Sequence, residues 1–565
     1  MRREDVSEKE RVADLKRQFD RLKEERDKRL PDWKDVQKYV APSTLNWDNP
    51  KDKIPKRSKR FTGRPTQYAR TLRTGLVGYS ISPNIVWMKL TFEDAHHLDK
   101  IHGAKDWLES VERILYAEFK RSNLYQQSGP MIEAAVQYGH GLMHIDEVIG
   151  EGRLRFTNMK TQEIYLDVDE FDEVDTVFRR YSMSLTNAAN FFGKENLSKT
   201  QQDELEQLKT NGTDKEITII HAVFKRDEYN EKSTDTKNMP YASIYFDEHE
   251  DRILKESGYS EFPFAVFIWE PVTGTPYGES PSIHAMDDIR MLNKLDEQIL
   301  KIAQMAGSPA YNVPDTMRGQ ANVVPNAYNY YKKHEEIITP VNSGLNFPIT
   351  LEIYNQKTDQ VKDWFHVDFF LALQQQNVSK MTATYVMELQ GEKAAVLAPL
   401  VVNINTALTK IIQRSFNLLW NQRKIPQPPS GLARSGAQLK VDFLGPLAQA
   451  QRKYHESAGI GQALGIIGAV AQIAGHTALD VVDFDATLKK GLEGVGFPQE
   501  AIRENDDIEM LRKQRAEQQA QQQQQAAAME QQKALLGNYN KLNETVKPGS
   551  AIDEMNKQMG GGFYQ

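Results

Sequence analysis

Two amphipathic stretches, residues 280–306 and 352–373, flank a segment that proline breaks repeatedly, and no other feature constrains the chain as strongly. In the first stretch Ile289, Leu292, Leu295, Ile299 and Ile302 recur at helical spacing; in the second Val361, Trp364, Phe365 and Phe369 do so. Between them Pro309, Pro314, Pro325, Pro340 and Pro348, with the cluster Asn326-Ala-Tyr-Asn-Tyr-Tyr331, predict a compact excursion of short strands and turns. Ser280-Pro281 supplies an N-cap and a first-turn proline, so the first helix is expected to open there, after a strand-like run over 262–269 and a Gly/Pro turn.

A chain of 565 residues is too long for one core and is expected to divide into several packed units. With no cysteine it has no disulfide staple, no thiol chemistry and no cysteine-ligated metal. The charged start, Met1-Arg-Arg-Glu-Asp, lacks the apolar run of a signal peptide, so no export is expected. Residues 459–475 contain Gln462 and Gln472 and fall short of the ~20 apolar residues a bilayer requires, which points to a close-packed Gly/Ala helix and no membrane partner.

Along the chain, residues 7–40 read as helix with Val12, Leu15, Phe19 and Leu22 on one stripe, broken near Pro31. Helical patterns follow at 66–80 and 104–138, with a strand at 85–90 between them. Short strands are expected at 142–148, 153–158, 176–181, 216–226, 241–247 and 262–269. Beyond the second amphipathic stretch a helix is expected from about 383 to 420, kinked where Pro399 removes a hydrogen bond, and a strand over 438–444. Residues 518–532 include nine glutamines; helix propensity is adequate there, but the apolar stripe is too thin to hold a helix without neighbours. The last residues, 537–565, carry few apolar anchors and are expected to be mobile. The fold class is α+β.

No catalytic constellation stands out, so the chain is read as a non-enzyme without cofactor or metal. It has no phosphate loop, and the glycines at 459, 461 and 465 miss the dinucleotide pattern by one residue. His140 and His144 are four apart but lack the glutamate of a zincin helix. The run from Asp167 to Asp175 has Phe171 where a calcium loop needs an oxygen ligand, and reads as a solvated loop.

Charge is uneven although the net is only −7, too small for strong duplex binding by the chain as a whole. Residues 51–73 hold nine bases, among them Lys56, Arg57, Lys59 and Arg60, against Asp52 alone; residues 163–175 hold seven acids and no base. The basic segment can pair with such acidic loops, also on a neighbouring subunit, or contact phosphate. With only Phe61 and Tyr68 among its aromatics, stacking on single strands is not indicated.

The stretch Tyr277–Pro281 with its helix, together with residues 33–42, 75–90, Met381-Thr-Ala-Thr-Tyr-Val-Met-Glu-Leu-Gln-Gly-Glu-Lys393 and Ile425-Pro-Gln-Pro-Pro429, resembles the head-to-tail connector (portal) proteins of short-tailed bacteriophages. Each motif is short; their order over nearly the whole chain carries the resemblance. It implies a portal fold with a mixed α+β wing (1–279), stem helices (280–306 and 351–373) and an inserted clip (307–350). A tunnel loop (374–382), a long kinked helix returning to the wing (383–444), a helical crown with the Gln-rich helix (445–536) and a flexible tail (537–565) complete it.

The resemblance further implies a closed ring, twelve subunits in the family, at one capsid vertex of the virion. Double-stranded DNA is packaged through it by terminase and later ejected. Further implied partners are a tail adaptor and the capsid and scaffold proteins, with assembly in the host cytoplasm. On this mapping Gln374, Gln375, Gln376, Asn377, Ser379 and Lys380 face the bore, where amides make weak, exchangeable contacts and fixed cations, which would add drag, are few. Two alternatives remain: another virion structural or assembly protein, such as a scaffold or internal core protein, and a nucleic-acid-processing enzyme. The first predicts a mostly helical chain without strands over 139–272; the second needs a carboxylate metal cluster or a phosphate loop.

Overall fold

The computed structural model describes residues 7–43, 46–47, 59–92, 101, 103–148, 150–211, 214–229, 235–250, 252–324, 327–340, 347–374, 397–435 and 439–445, with scattered positions between 508 and 558. The chain divides into two units, residues 1–455 and 456–565. The elements below belong to the first.

Helix α1 (Glu8–Asp27) starts at a capping box in which Ser7 Oγ accepts from the Glu10 amide and the Glu10 carboxylate accepts from the Ser7 amide. Its stripe Val12, Leu15, Phe19 and Leu22 is buried. Pro31 stands in the first turn of α2 (Leu30–Tyr39), so the expected break produces a second helix. There follow α3 (Arg64–Ser80), β1 (Met88–Phe92), α4 (Ala104–Arg121) and α5 (Leu124–Tyr138). The 104–138 pattern is thus two helices, interrupted at Ser122 and Asn123.

Next come β2 (His140–Val148), β3 (Arg153–Met159), β4 (Ile164–Val168), β5 (Val174–Ser184), α6 (Leu185–Phe192), α7 (Lys199–Asn211), β6 (Glu216–Lys225), β7 (Tyr241–Asp247), β8 (Ile253–Tyr259) and β9 (Phe264–Ile268). β10 (Glu270–Val272) and β11 (Thr275–Glu279) form a hairpin that leads into α8 (Pro281–His284) and α9 (Met286–Gly307). β12 (Tyr311–Asn312) and β13 (Thr339–Pro340) precede α10 (Phe347–Trp364) and α11 (Val367–Gln374). The first unit closes with α12 (Ala398–Asn421), α13 (Ser430–Ser435) and β14 (Leu439–Phe443).

Five antiparallel strands form one sheet in the order β4-β5-β6-β7-β8, and β2 is the centre of a second, β3-β2-β9. Period-two alternation gives the larger sheet two apolar faces. Ile220, Ala222, Ile244 and Phe246 pack under α1, while Ile219 and Leu254 pack with Leu185, Ala188 and Phe192 of α6. The solvated loop expected over 167–175 is shorter than expected, with its two ends in strands and 170–173 exposed. Ile164 and Leu166 make β4 an edge strand, leaving only 169–173 as a turn in which Asp169 Oδ1 accepts from the amides of Phe171 and Glu173. Helices α6 and α7 and strand β8 were not expected.

Close backbone approach fixes the junction of α5, β2 and β11. Gly139 has φ +89, and a Cβ there would stand 1.9 Å from the carbonyl oxygen of Gly278. Only glycine fits such a contact at positive φ. Across the unit, β1 pairs in register with β14, Met88 opposite Phe443 and Phe92 opposite Leu439.

Candidate functional site

Ser280 builds the start of the first amphipathic stretch as the sequence suggests. Its buried Oγ accepts from the Ile283 amide at 3.1 Å and donates to the Gln137 carbonyl at 3.0 Å, tying the helix to α5. A one-residue step at Ala285 separates α8 from α9. Helix α10 lies along α9, joined by Asp288, whose Oδ1 accepts from Lys357 Nζ at 2.9 Å and Oδ2 from Trp364 Nε1 at 3.3 Å. Arg290, on another side of α9, pairs with Asp35 of α2.

The stripe on α9 is only half used inside one subunit. Ile289 and Leu292 are fully buried, Leu295, Ile299 and Ile302 are half-buried, and Leu300 and Met305 are 49% and 51% exposed. In the excursion that follows, no residue among those described from 308 to 340 is buried, and Tyr328 and Tyr330 are 84% and 87% exposed. A segment that orders its backbone without an apolar core of its own has nothing to offset the entropy of doing so. Large apolar side chains left in this state mark surfaces made for contact.

A second feature of the helix pair is a cleft of about 580 Å³ where the end of β9, the β10 hairpin and α8 meet α9 and the end of α10. Trp364 is 43% exposed and stacks on His284, 5.6 Å between ring centres. His284 Nε2 lies 3.2 Å from Glu270 Oε2, and Asp288, Lys357 and Asp363 complete the polar lining. His366, at φ +48 between α10 and α11, also lines it, and burial pushes its imidazole below the usual range.

Of the residues expected to face a bore, Gln374 ends α11, while Gln375, Gln376, Asn377, Ser379 and Lys380 lie outside the described residues. Helix α11 is seated on α3 by Phe370, whose ring stacks with Tyr79 at 6.2 Å. Lys56 and Arg57 also lie outside the described residues. Lys59 Nζ sits 5.4 Å above the Phe61 ring, and Arg60 Nη1 donates to Thr66 Oγ1 at 2.8 Å. The amides of Phe61 and Thr62 donate to Asn293 Oδ1 on α9, which fixes the end of the basic segment there.

Pro399 stands in the first turn of α12, not inside a longer described helix; residues 375–396 lie outside the description. An N-terminal turn tolerates proline because its amides have no helical partner anyway. Helix α12 is locked to the strands by buried Arg414, which donates to the Ile145 carbonyl and pairs with Glu261 at 2.9 Å.

His140 and His144 both lie on β2, the first fully buried and the second half-buried, and desolvation pulls each down to about 3. Among the described residues no group of three or more His, Asp or Glu is placed to hold a metal ion. Nor is any described helix long and apolar enough to cross a membrane. Sequence reasoning missed the cleft, because its walls come from three separate stretches, 269–270, 281–288 and 357–366.

Comparison with known proteins finds relatives over most of the chain. The probable portal protein of Bordetella phage BPP-1 is 28% identical over 515 residues, covering 88% of this chain and 90% of the relative. The portal protein of Salmonella phage epsilon15 is 28% identical over 535 residues, covering 91% and 92% respectively. The family model described as bacteriophage head to tail connecting protein matches residues 12–502, a span holding both long helices, the excursion between them and the strand block. The chain belongs to the family of bacteriophage head to tail connecting proteins.

Proposed function

We propose that this chain is the subunit of a phage portal. Copies close into a ring of twelve at one vertex of the capsid, and double-stranded DNA enters and leaves the head through the central channel. The observation that carries this reading is the helix pair α9/α10, which keeps Leu300 and Met305 half-exposed and supports an excursion with no buried residue among those described. In a ring the neighbouring copies cover these surfaces.

In this reading the two helices are the stem, residues 307–350 the clip, 374–382 the tunnel loop, 383–444 the helix returning to the wing and 445–536 the crown. The mixed block up to 279 is the wing and meets capsid and scaffold proteins; the clip meets terminase during packaging and the tail adaptor afterwards. Gln374, Gln375, Gln376, Asn377, Ser379 and Lys380 face DNA, and twelve copies at −7 each give the ring about −84, which disfavours tight phosphate binding along the bore. The work is mechanical and asks no covalent chemistry of this chain. The strand block over 140–268 speaks against an all-helical scaffold.

Negative-stain microscopy of the purified full-length chain tests the proposal. Rings with twelve lobes and a central hole are expected; monomers that persist at high concentration overturn it.

A further inference from the structure

The cleft between the hairpin and the helix pair holds carboxylates that have no lysine or arginine partner among the described residues. Lys357 is taken up by Asp288 and Gln360. Among the described residues Glu270 pairs only with His284, and exposed Asp363 has no ion pair. Next to them lies the open face of Trp364, stacked on His284. Carboxylates beside an indole face form a receptor for a lysine or arginine side chain, which gains charge pairing and a cation–π contact together.

Residues 51–57 carry Lys51, Lys53, Lys56 and Arg57 against Asp52 alone. This stretch leads into Phe61 and Thr62, which are fastened to Asn293. At about 100° per residue, Asn293 lies about 140° round α9 from Asp288, toward the side where Arg290 meets α2. The anchor of Phe61 and Thr62 and the cleft are therefore on different sides of one helix. In the rival acceptor, the acidic run, three of the seven acids are already engaged: Glu163 with Arg179, Asp167 with Arg21 and Glu173 with Lys410.

We propose that the cleft receives residues 51–57 of a second copy of this chain. A contact between two different surfaces of identical subunits is heterologous and closes when it repeats around a ring. The inference therefore rests on the ring reading above and names one joint within it.

The chain has no native cysteine, so introduced thiols are unique. Asp363→Cys and Arg57→Cys variants are made separately, mixed, assembled and treated with a short bismaleimide. A covalent dimer of the two variants is expected on denaturing gels, with none when Arg57→Cys is mixed with Glu173→Cys. In a companion pair, Asp363→Lys lowers the ring fraction and Arg57→Glu in the same chain restores it. Rings that form without the cross-link, or that link Arg57→Cys to Glu173→Cys instead, overturn this inference alone. Failure of wild-type protein to form rings overturns it together with the ring reading.

Discussion

A Cβ placed on Gly75 would stand 2.2 Å from Cδ1 of Phe370, so α3 and α11 touch at backbone distance. Phe370 is fully buried and cannot swing into solvent to make room. Gly75→Ala is expected to destabilise the protein by roughly 1–3 kcal/mol through overpacking. Denaturant unfolding measures the loss, and a second change, Phe370→Leu, should recover part of it. A cost that Phe370→Leu leaves untouched would place the strain elsewhere.

Buried histidines predict an acid limit to stability. His140 and His144 are held at about 3 and His221 well below its ordinary value, all chiefly by desolvation. Their folded values lie below the unfolded value of 6.5, so unfolding binds protons, and stability falls as pH drops from 6.5 toward 3. Above 6.5 these groups add no pH dependence. Each contributes a slope of up to about 1.4 kcal/mol per pH unit. Melting curves across this range should show it, and His144→Gln should flatten the slope whatever it does to stability at neutral pH.

Asp288 joins the two long helices by accepting from Lys357 and Trp364 at once. Asp288→Ala leaves both donors without that partner and is expected to cost about 1–2 kcal/mol. Chemical unfolding followed by tryptophan fluorescence reads the loss.

The exposed apolar side chains of α9 separate folding from assembly. Leu300→Glu with Met305→Glu should change subunit stability by less than about 0.5 kcal/mol, since neither side chain is buried in one copy. Ring yield by size-exclusion chromatography should fall sharply in the same protein. Equal ring yield would mean that these residues face solvent in the assembly too.

Pro399 occupies a helical turn that suits it. Pro399→Ala is expected to shift stability by no more than about 0.5 kcal/mol, because no interior hydrogen bond is regained. A large gain in stability would show that the proline had interrupted a continuous helix.

Residues whose pattern and burial agree were legible in the sequence. The α1 stripe, the Ser280 cap, the Pro31 break and most strands of the 140–268 block follow from spacing alone. β4 was hidden because Asp167 breaks its short apolar run; as an edge strand it can carry such a charge. β8 was hidden because Lys255, Glu256 and Ser257 interrupt its apolar anchors, of which Leu254 alone is well buried. The cleft escaped because proximity among Glu270, His284 and Trp364 is a property of the hairpin and the helix pair, and no local period encodes it.

The partner of β1 is β14, roughly 350 residues further along the chain. While the ribosome is still making that distance, the earlier strand waits with an open edge, since its matching amides and carbonyls do not yet exist. Closing so long a loop is slow compared with forming local helices and hairpins. Completion of the first unit is therefore tied to the end of its own synthesis, and a truncated product that stops short of residue 439 leaves uncovered the edge of β1 that β14 closes in a finished subunit.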